Sequence, residues 1–260
     1  MNSNYFFFAF LLIFSACKNQ KTEDTTTGEE NTAPSEMKYT LTPFSASQDF
    51  PDASLVTIDY KNGMFVTVIG GGSYKLGEQT PDAPQKQCAN SAEGQHIHLI
   101  VDTEPYVAKY TASFEHEIPD GEHYILSFLS RSYHESLKSK AAHKAVKATV
   151  ANKSFAQVDS ITGPMLFYSR PKGLYTGEDK KKVMLDFYLV NADMSGYTVE
   201  ADINGEKHMI DTWQPYYIEG LPDGDNTIKL SLLDKSGQLV NAPLNPVSRT
   251  FQLEKSPEAN

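Results

Sequence analysis

One short motif occurs twice in this chain, and it constrains the fold more than any other feature. Residues 117–125 read Glu-Ile-Pro-Asp-Gly-Glu-His-Tyr-Ile, and residues 220–228 read Gly-Leu-Pro-Asp-Gly-Asp-Asn-Thr-Ile. Proline fixes the backbone at the second position of a turn, and glycine takes the positive φ that ends it. Each copy therefore predicts the same tight corner between two strands, and the pair predicts a duplicated β unit.

Short β-rich segments flank both corners. Runs of β-branched and aromatic residues, such as 65–69 and 96–102, alternate with Gly, Pro, Asp and Asn. This punctuation is typical of a sandwich of short antiparallel strands. We therefore predict an all-β fold of two tandem immunoglobulin-like β-sandwiches, with domain 1 at residues 37–157 and domain 2 at residues 158–260.

The N-terminus reads as a lipoprotein signal peptide over residues 1–16. Residues 5–14 are apolar, and this stretch is shorter than the roughly 20 residues of a transmembrane helix. The following Phe14-Ser15-Ala16-Cys17 resembles a bacterial lipobox, in which the cysteine thiol is acylated before cleavage. The alternative is an ordinary secretory peptide with an incidental cysteine, because residues 1–4 contain no Lys or Arg.

Residues 17–36 are predicted to form a disordered tether between the acylated Cys17 and the folded part. The segment is polar and too poor in apolar residues to offset the entropy of folding. Its Lys21-Thr22-Glu23-Asp24 resembles a short export signal of surface lipoproteins, or is merely a solvated linker. The predicted location is extracytoplasmic, with the chain held on either face of a bacterial outer membrane by Cys17.

The charge balance excludes one class of partner. The chain has 33 Asp and Glu against 23 Lys and Arg, a formal net charge of −10. Phosphate backbones are repelled by such a surface, so binding to nucleic acid is excluded.

Six of the seven histidines lie between His96 and His143. In the segment 96–102 the strand alternation sends Ile97, Leu99 and Val101 to the core and leaves His96 and His98 on the outward face. If residues 96–102 pair antiparallel with the strand that follows the first corner, His134 comes near His96.

Imidazoles grouped in this way suit zinc or copper. The candidate metal ligands are His96, His98 and His134, with Cys88 as a weaker candidate. Arg131 and Tyr133, beside His134, are candidate contacts for a small anionic ligand. Two other interpretations stay open, namely that the histidines only form structural hydrogen bonds or that they bind a ligand without metal.

The segments around these histidines resemble known bacterial families. Residues 94–102, with Gly121-Glu122-His123 and a later His134, are similar to a family of periplasmic domains that share a His-x-His-Leu strand. Residues 88–98 and 128–136 look like a set of bacterial lipoproteins labelled phosphopeptide-binding. The resemblance implies a two-domain surface or periplasmic lipoprotein.

These observations favour a non-catalytic binding module rather than an enzyme. Domain 1 is predicted to bind a metal ion or a small anionic ligand. The alternative is an adhesion or protein-interaction lipoprotein without a small-ligand site. Immunoglobulin-like modules mostly present, space or bind, and nothing designates a carboxylate pair or a nucleophile for catalysis.

Overall fold

A computed structural model describes residues 37–255, whose regular secondary structure is almost entirely β-strand. The strands are β1 (Thr40–Pro43), β2 (Ser54–Lys61), β3 (Met64–Gly70), β4 (His96–Val101), β5 (Val107–Lys109), β6 (Ser113–Glu115), β7 (Gly121–Ser130), β8 (His143–Ala151), β9 (Ser154–Ser160), β10 (Met165–Arg170), β11 (Leu174–Tyr175), β12 (Val183–Val190), β13 (Tyr197–Ile203), β14 (Glu206–Ile210), β15 (Tyr216–Glu219), β16 (Gly224–Asp234) and β17 (Val247–Leu253). One short helix, α1 (Ala83–Lys86), and 3₁₀ turns at Lys140–Ala142 and Gly177–Lys180 complete the described elements.

The described residues contain no helix that is long and apolar enough to cross a bilayer. The predicted signal peptide, Cys17 and the tether lie outside the described residues.

The first sandwich packs a three-stranded sheet, in the order β2-β3-β6, against a five-stranded sheet, in the order β5-β4-β7-β8-β9. Alternating apolar residues of both sheets fill the space between them, with Leu55 and Phe65 on one side and Ile97, Leu99 and Ile125 on the other. The period-2 pattern of the sequence thus places every second side chain of each strand in this core.

The second sandwich packs a four-stranded sheet, β1-β15-β12-β10, against a five-stranded sheet, β11-β17-β16-β13-β14. Its core includes Leu185 and Phe187 from one sheet and Ile228 and Leu230 from the other. The prediction of two tandem immunoglobulin-like sandwiches is therefore confirmed for the described residues.

Two strands depart from the predicted division at residue 157. Strand β9 continues to Ser160 in the sheet of the first sandwich. Strand β1 pairs with β15 of the second sandwich, although it precedes the whole first sandwich in the chain. Tyr39 and Leu41 pack against the core of the second sandwich, so burial of these two side chains explains where the strand lies.

The two sandwiches meet through one sheet of each. Ile100, Leu126 and Phe128 project from the outer face of β4 and β7, and they pack against Phe167 and Tyr188 of β10 and β12. An apolar layer therefore joins the two sandwiches.

Polar groups close the same interface. Lys138 Nζ lies 2.5 Å from the fully buried carboxylate of Asp186, which also accepts a hydrogen bond from the Ser136 N–H. Since a buried charge is stable only when it is paired and hydrogen-bonded, this ion pair fixes how the two sheets meet.

Candidate functional site

Strand β4 presents His96 and His98 on the face that points away from its own core. Ile97 and Leu99 alternate with them and pack inside the first sandwich. Both imidazoles are nevertheless 0% exposed, because the outward face of β4 is covered within the folded chain instead of facing solvent. The alternation along β4 is as predicted, but the two histidines on its outward face lie in the protein interior.

His134 lies in the tight turn that follows strand β7. The Arg131 N–H donates to the Glu135 carbonyl and the His134 N–H donates to the Arg131 carbonyl, each at 2.9 Å. The φ of His134 is +69°, in the left-handed region that glycine adopts easily and other residues adopt with strain. His134 shares this backbone with other non-glycine residues, such as Gln87 and Leu244, so the case for its function depends on what its side chain contacts.

The three imidazoles converge on one point. His96 Nε2 lies 2.8 Å from His98 Nε2 and 3.0 Å from His134 Nδ1. One nitrogen from each of the three rings lies within 4.8 Å of the other two. Tetrahedral zinc bonds of about 2.0 to 2.1 Å would hold such nitrogens about 3.3 Å apart, so small ring movements would accommodate an ion.

The ring nitrogens of this cluster cannot all form hydrogen bonds with one another. His96 Nδ1 lies 2.8 Å from the Gly94 carbonyl and must donate to it, so a neutral His96 carries a single lone pair on Nε2. Both His98 Nε2 and His134 Nδ1 approach that lone pair, which can accept only one full hydrogen bond. His98 Nδ1, on the far side of its ring, is buried without a partner in the described part of the chain.

Tyr106 forms a wall of the site. Its ring stacks on His98 with centroids 3.6 Å apart and planes 9° from parallel, and its hydroxyl lies 3.3 Å from His134 Nδ1. Lys172 Nζ lies 4.2 Å from the centroid of the same ring. The aromatic ring therefore orients the two histidines, and a cation from the second sandwich packs against it.

Burial keeps the three imidazoles neutral. Desolvation is the largest cause that lowers the pKa of each, and it brings the pKa of His96 to about 4. The charges of Arg170 and Lys172 lower all three pKa values further. The nitrogen lone pairs are thus free of protons at neutral pH, as metal ligands must be.

The weaker candidate ligand, Cys88, packs elsewhere. It contacts Phe44, Met184 and Tyr217 in a separate apolar cluster, and burial raises the pKa of its thiol to about 12. Among the described residues, the group with metal-ligand spacing contains the three histidines and no cysteine.

Arg131 and Tyr133 are occupied by contacts within the protein. The guanidinium of Arg131 donates to the Gln48 carbonyl at 2.9 and 2.6 Å and lies 3.5 Å from Glu135. The hydroxyl of the buried Tyr133 donates to Asp82 at 3.1 Å. Their predicted contact with a small ligand stays a prediction.

His123 lies at the other end of β7, as its position in the strand predicts. Its ring joins Asp102, at 2.7 Å, to the Pro119 carbonyl, at 3.0 Å. Asn226 occupies the same place in the second sandwich, where it joins Asn204, at 2.8 Å, to the Pro222 carbonyl, at 2.9 Å. His123 is therefore a structural residue of the repeated corner.

Sequence reasoning missed Tyr106, Arg170 and Lys172. Arg170 and Lys172 belong to the second sandwich, and their charges act on the histidines because the two sandwiches pack together. The available signal was the apolar character of Ile100, Leu126 and Phe128, since apolar residues on an outward face indicate that something covers it.

Comparisons with known proteins identify no family. No family model matches the chain, and no curated protein matches it. A structure of fibronectin(III)-like modules of Clostridium thermocellum CbhA is 11% identical with a TM-score of 0.28, over 83% of this chain and 94% of that chain. The Bacteroides ovatus protein SGBP-B of a mixed-linkage glucan utilization locus, solved with a mixed-linkage heptasaccharide, is 9% identical with a TM-score of 0.25, over 84% of this chain and 71% of that chain.

Proposed function

We propose that this protein is a lipid-anchored extracytoplasmic binding protein that holds a transition-metal ion on His96, His98 and His134. The observation that carries the proposal is the convergence of three neutral imidazoles around a single acceptor lone pair. A metal ion accepts a lone pair from each ring at once, whereas hydrogen bonds satisfy only one of the two short contacts. The Gly94 carbonyl, by holding His96 Nδ1–H, aims the Nε2 lone pair inward, as partners of metal-bound histidines commonly do.

The donor set favours zinc or copper. Imidazole nitrogens suit these ions, whereas oxygen-rich sites suit calcium or magnesium. Three protein ligands leave a coordination position open for a further group. The role proposed is binding rather than catalysis, with His134 as the partly exposed edge of the site.

The proposed location follows from the N-terminal sequence. Acylation at Cys17 would anchor the chain in a bilayer, because each buried methylene contributes about 0.8 kcal/mol and two or three acyl chains add up to persistent binding. Mass spectrometry of the mature N-terminus tests this part. We expect a chain that begins at a lipidated Cys17, and an unmodified N-terminus upstream of it would overturn the anchor.

Metal titration of the purified full chain in detergent tests the site. We expect one zinc or copper ion per chain, measured by calorimetry and by elemental analysis after dialysis. The informative variant is His134→Gly, because glycine suits the backbone of this turn and removes one ligand. Its affinity should fall by more than the roughly 10- to 100-fold that accompanies loss of an outer-shell partner.

The matched control is His123→Asn, which introduces the residue that the second sandwich uses at the same corner. This variant removes an imidazole without touching the cluster, so its metal affinity should equal that of the unaltered protein. Equal affinities for the unaltered protein and His134→Gly, or no bound metal at micromolar concentration, would contradict the site and favour the adhesion alternative.

A further inference from the structure

A bulge in strand β10 aims Arg170 at the first sandwich. Leu166 and Tyr168 point into the core of the second sandwich, and simple alternation would send residue 170 the same way. The register of β10 on β12 shifts between Tyr168 and Arg170, and Arg170 then pairs with Asp186. Cross-strand partners share a face, so Arg170 takes the side of Asp186, whose carboxylate bonds to Lys138 of the first sandwich. Bulges often re-aim a side chain beside a functional site.

The guanidinium of Arg170 is buried with unused donors. The residue is 6% exposed, yet Nε and Nη1 have no hydrogen-bond partner among the described residues. No carboxylate of the described chain lies within ion-pair distance of it, and the nearby Asp186 is engaged by Lys138 and Ser136. Buried charges without a partner are unfavourable by several kcal/mol, which marks Arg170 as a residue that awaits a counter-charge.

The surroundings of the histidine cluster are cationic. Lys172 packs on Tyr106, whose ring also stacks on His98 and whose hydroxyl lies 3.3 Å from His134 Nδ1. Arg249 also forms no ion pair among the described residues. Its guanidinium donates instead to the backbone carbonyls of Thr103, Glu104, Tyr168 and Ser169. A divalent ion on three neutral imidazoles would add two more positive charges to this interior. An anion bound in the same place would offset these positive charges.

We propose that the site binds an oxyanion, the carboxylate or phosphate group of a small ligand, between Arg170 and the open coordination position of the metal. This inference rests on the proposed function. Guanidinium N–H groups bind the oxygens of a carboxylate or phosphate, and Nε and Nη1 of Arg170 are both buried without a partner among the described residues. Arg170 pairs with Asp186, whose carboxylate accepts a hydrogen bond from the Ser136 N–H two residues after His134. The Arg170 Cζ also lies 5.6 Å from the centroid of the Tyr175 ring.

The test uses the full chain loaded with cobalt(II), whose visible absorption reports the groups bound to it. Metal content is measured first, in the unaltered protein and in Arg170→Met, which keeps a long side chain but removes charge and donors. Inorganic phosphate and acetate are then titrated separately, so that the two arms distinguish the kinds of oxyanion. We expect a saturable spectral change for at least one anion, with an apparent Kd at least about tenfold weaker in Arg170→Met.

Two further variants protect the result against a folding defect. Arg170→Lys keeps the charge without the fork and should bind the anion with intermediate affinity, and Lys172→Met should weaken it less than Arg170→Met. If cobalt binds and the anion affinity is the same with and without the guanidinium, the inference fails while the metal site stands. If neither cobalt nor zinc nor copper binds to the unaltered protein, the proposed function fails, and the anion bridge fails with it.

Discussion

The two sandwiches carry the same pair of strands but put its outer face to opposite uses. In the first sandwich, Ile100 pairs with Leu126 and His98 pairs with Phe128 across β4 and β7. The corresponding pairs across β13 and β16 are Asp202 with Lys229 and Glu200 with Ser231. The first face is apolar and imidazole-bearing and is covered by strands β10 and β12. The second is polar and only partly exposed, since Glu200 and Asp202 are 15% and 19% exposed and Ser231 is buried. The two copies therefore differ in the chemistry of the same face.

The turns after these strands differ in the same way. The Asp234 N–H donates to the Gln238 carbonyl at 2.9 Å, and the Gly237 N–H donates to the Asp234 carbonyl at 3.0 Å, as Arg131, His134 and Glu135 do in the first sandwich. Gly237 has a φ of +78° where His134 has +69°. The backbone of the turn is therefore the same, and the first copy alone places an imidazole on it.

Exchange of one residue between the two faces should have the largest effect on the free energy of unfolding. Leu126→Lys introduces at position 126 the lysine that the second sandwich has at the equivalent position 229. The change removes a buried apolar side chain from the covered face and buries an unpaired ammonium. We expect a loss of about 4 kcal/mol or more in the free energy of unfolding, measured by urea denaturation. The reverse change, Lys229→Leu, alters a half-exposed side chain whose ammonium lies 3.5 Å from Asp202, and it should shift the free energy of unfolding by about 1 kcal/mol or less. Similar losses for the two variants would mean that the first face is not covered in solution.

Loss of the buried ion pair between Lys138 and Asp186 should have the second largest effect on the free energy of unfolding. Asp186→Asn keeps the shape of the side chain but leaves Lys138 without its carboxylate, so we expect a loss of about 3 kcal/mol. Glu200→Gln is the control on the corresponding face of the second sandwich, where a largely buried Glu200 meets an exposed Lys207 at 3.2 Å. A pair that solvent reaches through its lysine contributes about 1 kcal/mol or less. Equal urea midpoints for Asp186→Asn and the unaltered protein would contradict the structural role of the pair.

The sequence predicted the repeated parts of this molecule well, because they depend on local chemistry. The Pro-Asp-Gly corners, the alternation along β4 and the approach of His134 to His96 all follow from turn residues, period 2 and antiparallel pairing. The histidine at residue 134 also stands where the equivalent turn has Gly237, a contrast that an alignment of the two turns could have detected.

The contact between the sandwiches was not predicted, because it depends on surfaces far apart in the chain. The cover over Ile100 and Leu126 and the contact of Lys172 with Tyr106 both require β10 and β12 to lie over β4 and β7. Strand β1 was likewise assigned to the first sandwich, since no local pattern tells a strand which sheet edge it will join. Arg170 was hidden further by the bulge, which reverses the side that alternation assigns to it.

Acid should weaken the first sandwich through its buried histidines. Their pKa values in the folded protein lie below the ordinary value of 6.5. Below pH 6.5 these histidines are therefore protonated in the unfolded chain but still neutral in the folded chain. Stability is therefore complete above pH 6.5 and falls as the pH drops toward 4, by about 1.4 kcal/mol per pH unit for each histidine.

Urea denaturation of the metal-free protein between pH 7 and pH 4.5 measures this slope. The variant His134→Gly lacks one of the three groups, so its stability should depend less steeply on pH by about 1.4 kcal/mol per unit. The positions that correspond to the three histidines in the second sandwich, Thr198, Glu200 and Gly237, add no imidazole to this window. Parallel curves for the two proteins would show that His134 is not buried in its neutral form.

The smallest expected effect on the free energy of unfolding comes from a variant that tests the strain of the left-handed backbone without forming a metal site. Gly237→His transfers the histidine of the first turn to the second, where no atom lies within 4 Å of the added Cβ, so the change tests the left-handed backbone alone. We expect a loss of about 1 kcal/mol in the free energy of unfolding and no additional bound metal. Gly237→Asn should lose less, because asparagine tolerates this backbone better. A stabilising effect of Gly237→His would indicate that the turn imposes no strain on a histidine. In that case the histidine at position 134 would need no functional explanation, and the argument for the site would depend on the three converging rings alone.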